Sequence, residues 1–121
     1  MTYIDGFVFV VTKKNIPEYV KMAEKAGKIW KKYGALKYVE CVGDDLSPQM
    51  AKLTFPKMTK LKSNETVWFS FIVYKNKEHR DKVNALVMKD PIMNEYTMKD
   101  KPMTFDMKRM AFAGFKSMVE Y

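Results

Sequence analysis

Residues 66–74 read Thr66-Val67-Trp68-Phe69-Ser70-Phe71-Ile72-Val73-Tyr74, and residues 3–12 read Tyr3-Ile4-Asp5-Gly6-Phe7-Val8-Phe9-Val10-Val11-Thr12. Both runs are β-branched and aromatic and have strand length. Val67, Phe69, Phe71 and Val73 project one way, and Trp68, Ile72 and Tyr74 the other. In the earlier run Tyr3, Phe7, Phe9 and Val11 oppose Ile4, Val8 and Val10. A strand with one wet face alternates apolar with polar residues, so these two are expected to be covered on both sides. Gly6 inside the first run points to a bulge or a close approach.

Asn15 and Pro17 open a helix that runs to Tyr33. Ile16, Val20, Ala23, Gly27, Trp30 and Tyr33 form one face, and Lys21, Lys25, Lys28 and Lys32 the other. Gly34 stops it. Residues 36–43 form a second strand, and Asp44-Asp45-Leu46-Ser47-Pro48 is turn chemistry. Residues 49–64 hold Lys52, Lys57, Lys60 and Lys62 with weak periodicity, and read as a mobile loop or short irregular helix. Asn76 caps a second helix over 77–89 with Val83, Leu86 and Val87 inward, and Asp90-Pro91 ends it. Residues 92–107 hold a short helix and a Pro-containing loop. Residues 108–116 make the last strand, and 117–121 a tail.

The order β-α-β-β-α-β predicts an α+β class, ferredoxin-like fold over residues 1–121 as one domain. The sheet has four antiparallel strands with two helices on one face. Right-handed crossovers place the strands in the order fourth, first, third, second. Two helices cover one face only, so the second apolar face calls for a partner. A second copy packed sheet to sheet, closing a dimeric α/β barrel, is the economical answer.

The 121 residues are 47% hydrophobic and 30% charged, an ordinary globular balance. One Cys and one His exclude a disulfide framework and clustered Cys or His metal ligands within one chain. No metal and no cofactor is expected. No apolar run reaches membrane-spanning length and no secretory leader is visible at Met1, so a cytoplasmic protein with no membrane partner is expected. The net charge is +8, but only Arg80 and Arg109 among the 22 basic residues are arginines. Nucleic-acid readers lean on arginine forks, which makes RNA an unfavoured partner.

Several blocks carry a family resemblance along almost the whole chain. They are Tyr3-x-Asp5-Gly6-Phe7, Tyr33-Gly34-Ala35-Leu36, Glu40-Cys41-x-Gly43-Asp44-Asp45 and Lys77-x-His79-Arg80-Asp81 with Asp90-Pro91. Phe105-Asp106-x-Lys108-Arg109-Met110 and Gly114-Phe115 complete the set. In these the chain resembles the bacterial, uncharacterised YbaA-like family of the dimeric α/β-barrel superfamily. It departs from the family at Val42, Ile92, Met107 and Ala113, where Trp, Arg, Gly and Gly are usual. The resemblance implies a fold and a dimer, with no activity to carry over. Superfamily members include cofactor-free monooxygenases and small-molecule sensors, which places a ligand between sheet and helices or in the barrel interior.

Candidate groups for chemistry are few. His79 is a candidate acid or base, although a surface helix position is the plainer reading. Cys41 is a candidate nucleophile or ligand contact, with a small buried hydrophobe as its plainer role. Asp44 and Asp45 read as turn residues. Glu40 shares a sheet face with Tyr38 and Val42, and a carboxylate there calls for a partner, with Arg109 or Lys108 as candidates. Asp5 within a strand poses the same question. Asp5, Glu40 and Arg109 together would make either a polar site or a dimer-specifying ion network. Trp68, Phe69, Tyr38 and Cys41 are candidate ligand contacts, and Met88, Met93, Met98, Met103, Met107 and Met110 a candidate adaptable lid.

These residues predict a homodimer that binds a small apolar or aromatic molecule, with a cofactor-independent enzyme as one form of that function. A non-catalytic regulatory or structural dimer is the alternative, and RNA binding through the lysine-rich face a third.

Overall fold

A computed structural model describes the backbone of residues 1–98 and 105–121 and the side chains of 1–94 and 105–121. Four strands, β1 (Tyr3–Thr12), β2 (Lys37–Val42), β3 (Glu65–Tyr74) and β4 (Ala111–Lys116), form one antiparallel sheet in the order β2-β3-β1-β4. Helix α1 (Ile16–Lys32) follows β1. The short α2 (Phe55–Thr59) precedes β3, and α3 (Lys77–Met88) and α4 (Pro91–Met98) follow it. This is the ferredoxin-like plan, with the strand order expected from right-handed crossovers.

Helix α1 is held off solvent by Tyr19, Ala23, Gly27 and Ile29. It ends where Gly34 takes φ +114°, a backbone that favours glycine, so Ala35 N–H returns to the Trp30 carbonyl at 3.0 Å. Asn15 stands at the N-cap but its side chain makes no capping bond. A 3-10 turn at Lys13–Asn15 leads into the helix instead, with Lys13 N–H on the Asn64 carbonyl. In α3 the expected cap is present: Asn76 Oδ1 accepts from His79 N–H at 2.7 Å. Val83 and Val87 are buried, whereas Leu86, expected inward, is 47% exposed. The face that meets the sheet runs through 80, 83, 84 and 87, and Leu86 lies off it. The last strand begins at Ala111 rather than 108, because Met107–Arg109 form a 3-10 turn capped by Asp106. Of the expected methionine lid, Met98 and Met103 lie outside the described side chains, as does much of the Pro-containing loop.

The register sorts the sheet residues onto two faces. Phe7 pairs with Ser70 and Phe112, Phe9 with Trp68, Glu40 with Ser70, and Tyr38 with Ile72. These face the helices. One core cluster joins Ile29, Ala35, Ile72, Tyr74, Val83 and Val87, and a second joins Phe9, Val11, Tyr19, Ala23 and Trp68. On the opposite face Val8 pairs with Phe69, Gly6 with Phe71 and Ala113, Ile4 with Phe115, and Cys41 with Phe69. Phe69 is 42% and Phe115 57% exposed there, so the second apolar face is open in the single chain. At one end of it Val10 and Val67 are buried, where α2 meets β3 and Leu46 packs on Gly43. Gly6 makes no bulge. It keeps regular register, and the Phe115 ring lies 3.4 Å from where a Cβ would stand.

Candidate functional site

Between the sheet and the helices lies a cavity of about 440 Å³. Phe7, Phe9 and Tyr74 line it from the sheet, Tyr19 and Trp30 from α1, and Met88 and Met93 from α3 and α4. Asp5, Glu40, Ser70 and Asn84 supply its polar lining. A volume in the hundreds of Å³ with an aromatic wall and a few convergent polar groups is the usual form of a small-molecule site. A second, outer groove of about 860 Å³ runs between α1 and β2, with Lys28, Lys31 and Lys37 on its rim. Tyr38 and Glu40 line both spaces.

Glu40 stands on β2 opposite Ser70, whose small side chain leaves room above the sheet. Its carboxylate is met by neutral donors. Tyr19 O–H and Trp68 Nε1–H donate to Oε1 at 2.9 and 2.8 Å, and Tyr38 O–H donates to Oε2 at 2.5 Å. No cation pairs with it among the described residues. Gly27 brings α1 close: a Cβ there would lie 2.8 Å from the Tyr38 ring. Tyr19 packs edge-on against Trp68 at 4.9 Å and against Phe9 at 5.6 Å, which holds its hydroxyl over β2. Burial, together with the Glu40 charge, pushes the Tyr19 and Tyr38 phenols well up, so both stay protonated donors.

Asp5 is buried on β1 and paired. Arg80 Nη1–H donates to its Oδ1 at 2.6 Å, and the guanidinium also bonds Asp81 and lies over the Tyr3 ring. Burial nevertheless holds the Asp5 carboxyl above its ordinary range, against the pull of Arg80 and an Asn84 hydrogen bond. Asn84 Oδ1 accepts from Trp30 Nε1–H and Tyr74 O–H, each at 3.1 Å. Asp5, Arg80, Asn84, Trp30 and Tyr74 therefore form one connected polar network, and Glu40 with its three donors a second.

Arg109 lies elsewhere. It forks onto Glu65, reaches Asp106 at 2.8 Å, and donates to the Thr59 and Lys60 carbonyls. The expected trio of Asp5, Glu40 and Arg109 does not form: Asp5 takes Arg80, Glu40 takes phenols and an indole, and Arg109 staples α2 to β3. Nor does Lys108 or Arg109 pair with Glu40, because β4 lies at the far edge of the sheet from β2. Asp5 and Glu40 face the helices, so neither belongs to an ion network on the open face. His79 accepts from Lys75 N–H through Nδ1 at 3.0 Å and packs edge-on to Tyr74, at the start of α3.

Among the expected ligand contacts, Tyr38 lines both spaces and Trp68 the outer groove. Phe69 and Cys41 pair with each other on the opposite face and line neither space. Sequence reasoning missed Tyr19, Arg80 and Asn84. The spacing of 80 and 84 against 83 and 87 was the available signal, since those four share one helical face. Among the described residues no group of three or more His, Cys, Asp or Glu is placed to hold a metal. No described helix is long and apolar enough to cross a membrane.

The fold is shared with solved structures of low sequence identity. The chain is similar over its whole length to a dimeric ferredoxin-like protein from an uncultured marine organism, at a TM-score of 0.59 and 12% identity, covering 100% of both chains. It is similar to an uncharacterised NIPSNAP-like domain protein from Burkholderia xenovorans at a TM-score of 0.54 and 15% identity, over 97% of this chain and 85% of that one. Sequence relatives are nearer. The uncharacterised protein YbaA of Escherichia coli K12 is 41% identical over 120 residues, 99% of each chain, and the YbaA of Shigella flexneri matches equally. A family model described as a protein of unknown function, DUF1428, matches residues 2–107. With that match and a 41% identical relative covered end to end, the chain belongs to the DUF1428 family, the family of YbaA.

Proposed function

We propose that this protein is a homodimer that binds a small apolar or aromatic molecule in the cavity between sheet and helices, working in the cytoplasm. The observation that carries the reading is the polar pair set into an aromatic wall. Asp5 is buried beside Arg80, and Glu40 is part-buried under three neutral donors, placements that a merely packed core avoids. Asp5 and Glu40 both line the 440 Å³ space. Of the candidate site residues, Glu40, Tyr38 and Trp68 are those we assign to the ligand region. His79 and Arg109 hold the fold, and Phe69 and Cys41 belong to the dimer face.

The dimer rests on the open face, where Ile4, Val8, Phe69, Phe71 and Phe115 form an apolar surface that water covers poorly. A stable partner needs roughly 800 Å² per side, on the scale of a four-stranded sheet face. The structural neighbour described as a dimeric ferredoxin-like protein supports a second copy as the occupant.

Native mass spectrometry of protein purified gently from its own cells tests both halves. A dimer with a reproducible added mass is expected. A dimer of bare chain mass would leave a structural dimer and overturn the binding half, and a monomer would overturn the other.

A further inference from the structure

We infer that the ligand is an organic ammonium compound, an apolar or aromatic body bearing a protonated amine, with Glu40 as its anchor. This rests on the binding reading above and adds the chemical class. A carboxylate has about four acceptor positions. The three donors to Glu40 fill two on Oε1 and one on Oε2, so Oε2 keeps a position free. The donors are all neutral. The carboxylate is part-buried with no cation beside it among the described residues, so a ligand ammonium that reaches Oε2 makes the charge-assisted hydrogen bond that the neutral donors do not.

The surroundings agree in sign. Asp5, the other carboxylate that lines the cavity, is paired with Arg80 at 2.6 Å, so Glu40 is the lining carboxylate with no cation among the described residues. Phe7, Trp30, Tyr38 and Tyr74 line the same space, and aromatic faces attract ammonium groups. The lysines face the outer groove instead, beside Glu24. Lys31 is held on the Leu36 carbonyl at 3.0 Å, and Lys28 and Lys37 stand on the rim. A ligand anion entering past them would meet the Glu40 carboxylate at the wall common to both spaces.

Three probes that share one ring system separate the alternatives: naphthylmethylammonium, naphthylmethanol and naphthoate. Binding to the full-length protein is followed near neutral pH by intrinsic fluorescence and calorimetry. The two tryptophans of the chain, Trp30 and Trp68, line the inner cavity and the outer groove, so the signal is local. The ammonium is expected to bind about tenfold more tightly than the alcohol, and naphthoate most weakly. Glu40→Gln should abolish that preference and leave the alcohol within about threefold. Tyr38→Phe keeps the carboxylate and frees another acceptor position on Oε2, so the preference should persist or grow, which decides the matter if Glu40→Gln folds poorly. Naphthoate binding as tightly as the ammonium, a preference that survives Glu40→Gln, or its loss in Tyr38→Phe would overturn the ammonium assignment and leave the cavity reading standing. Saturable binding of none of the three would remove both.

Discussion

Arg109→Met isolates the ion-pair cluster of Arg109 with Glu65 and Asp106. The guanidinium forks onto Glu65 and reaches Asp106, and it ties down the Thr59 and Lys60 carbonyls. Glu65 is only 8% exposed, and Arg109 19%. With the arginine gone, Glu65 keeps one backbone donor, Lys62 N–H at 2.8 Å, and a nearly buried charge. Breaking such a pair from one side costs about 3–5 kcal/mol, and the partly wet edge of Arg109 puts this case near about 3. Against a domain stability of about 5–15 kcal/mol that is a severe loss. Urea unfolding followed by tryptophan fluorescence measures it, run on Arg109→Met, Glu65→Met and the double variant. The double should return to within about 1 kcal/mol of the parent, because two apolar side chains need no charge compensation. Arg109→Met should leave naphthyl probe affinity unchanged, since Arg109 lines neither space. A single variant costing under about 1 kcal/mol, or a double as costly as the two singles added, would refute the account of Arg109 as a staple.

Phe69→Glu places a charge on the open face at a position already 42% exposed. It should convert the dimer to monomer by light scattering, and a dimer that persists would show that the interface lies elsewhere. Val87→Ala removes a fully buried side chain and should cost about 2 kcal/mol, whereas Leu86→Ala, 47% exposed, should stay within about 0.5. Equal costs in thermal unfolding would contradict the observed rotation of α3. The pH dependence combines two signs. Hydrogen bonds from Arg109, Tyr33, Arg109 and Ser117 hold the Glu65, Asp90, Asp106 and Glu120 carboxyls below their ordinary values. The unfolded chain therefore binds protons more readily at these groups, and their stabilisation, full above about pH 4–5, is lost as pH falls below it. Asp5 is displaced upward by burial, so its protonation on the same descent relieves a strain in the folded state. Four groups against one predict a Tm that falls as the pH drops from about 5 to about 3, and a flat or rising Tm over that range would contradict the balance.

How much of this was legible in the sequence depended on the range of the interaction. Strand order followed from local patterns and a handedness rule, because β1 and β3 announce themselves by composition. The need of Asp5 for a buried partner was legible from its place in a strand. Its identity was not, since Arg80 reaches it only through the rotation and crossing of α3, which a periodic pattern does not supply. Alternation put Glu40 on one face with Tyr38 and Val42, and only the register turns that face toward the helices. The error was to seek its partner in Lys108 or Arg109, when the groups that meet it within the chain are Tyr19, Tyr38 and Trp68. Placing Phe69 and Cys41 with Trp68 and Tyr38 overlooked a parity that the sequence itself carries, for neighbours on a strand point oppositely. Leu86 failed for the same kind of reason, an apolar residue one step off the inward face.

The two-sided apolar character of β1 and β3 bears also on how the strands find their pairing. In most sheets a slip by one residue is resisted because it turns oil outward and polar groups inward. Here Ile4, Val8 and Val10 could trade places with Phe7, Phe9 and Val11 and still be apolar. What breaks the degeneracy is a handful of polar side chains: Asp5, Glu40 and Ser70, all on the helix side. A shifted β1 would carry Asp5 to the greasy face and away from Arg80. These groups thus act as alignment marks for assembly, and replacing Asp5 with an apolar residue would erase the mark that tells β1 which way up it lies.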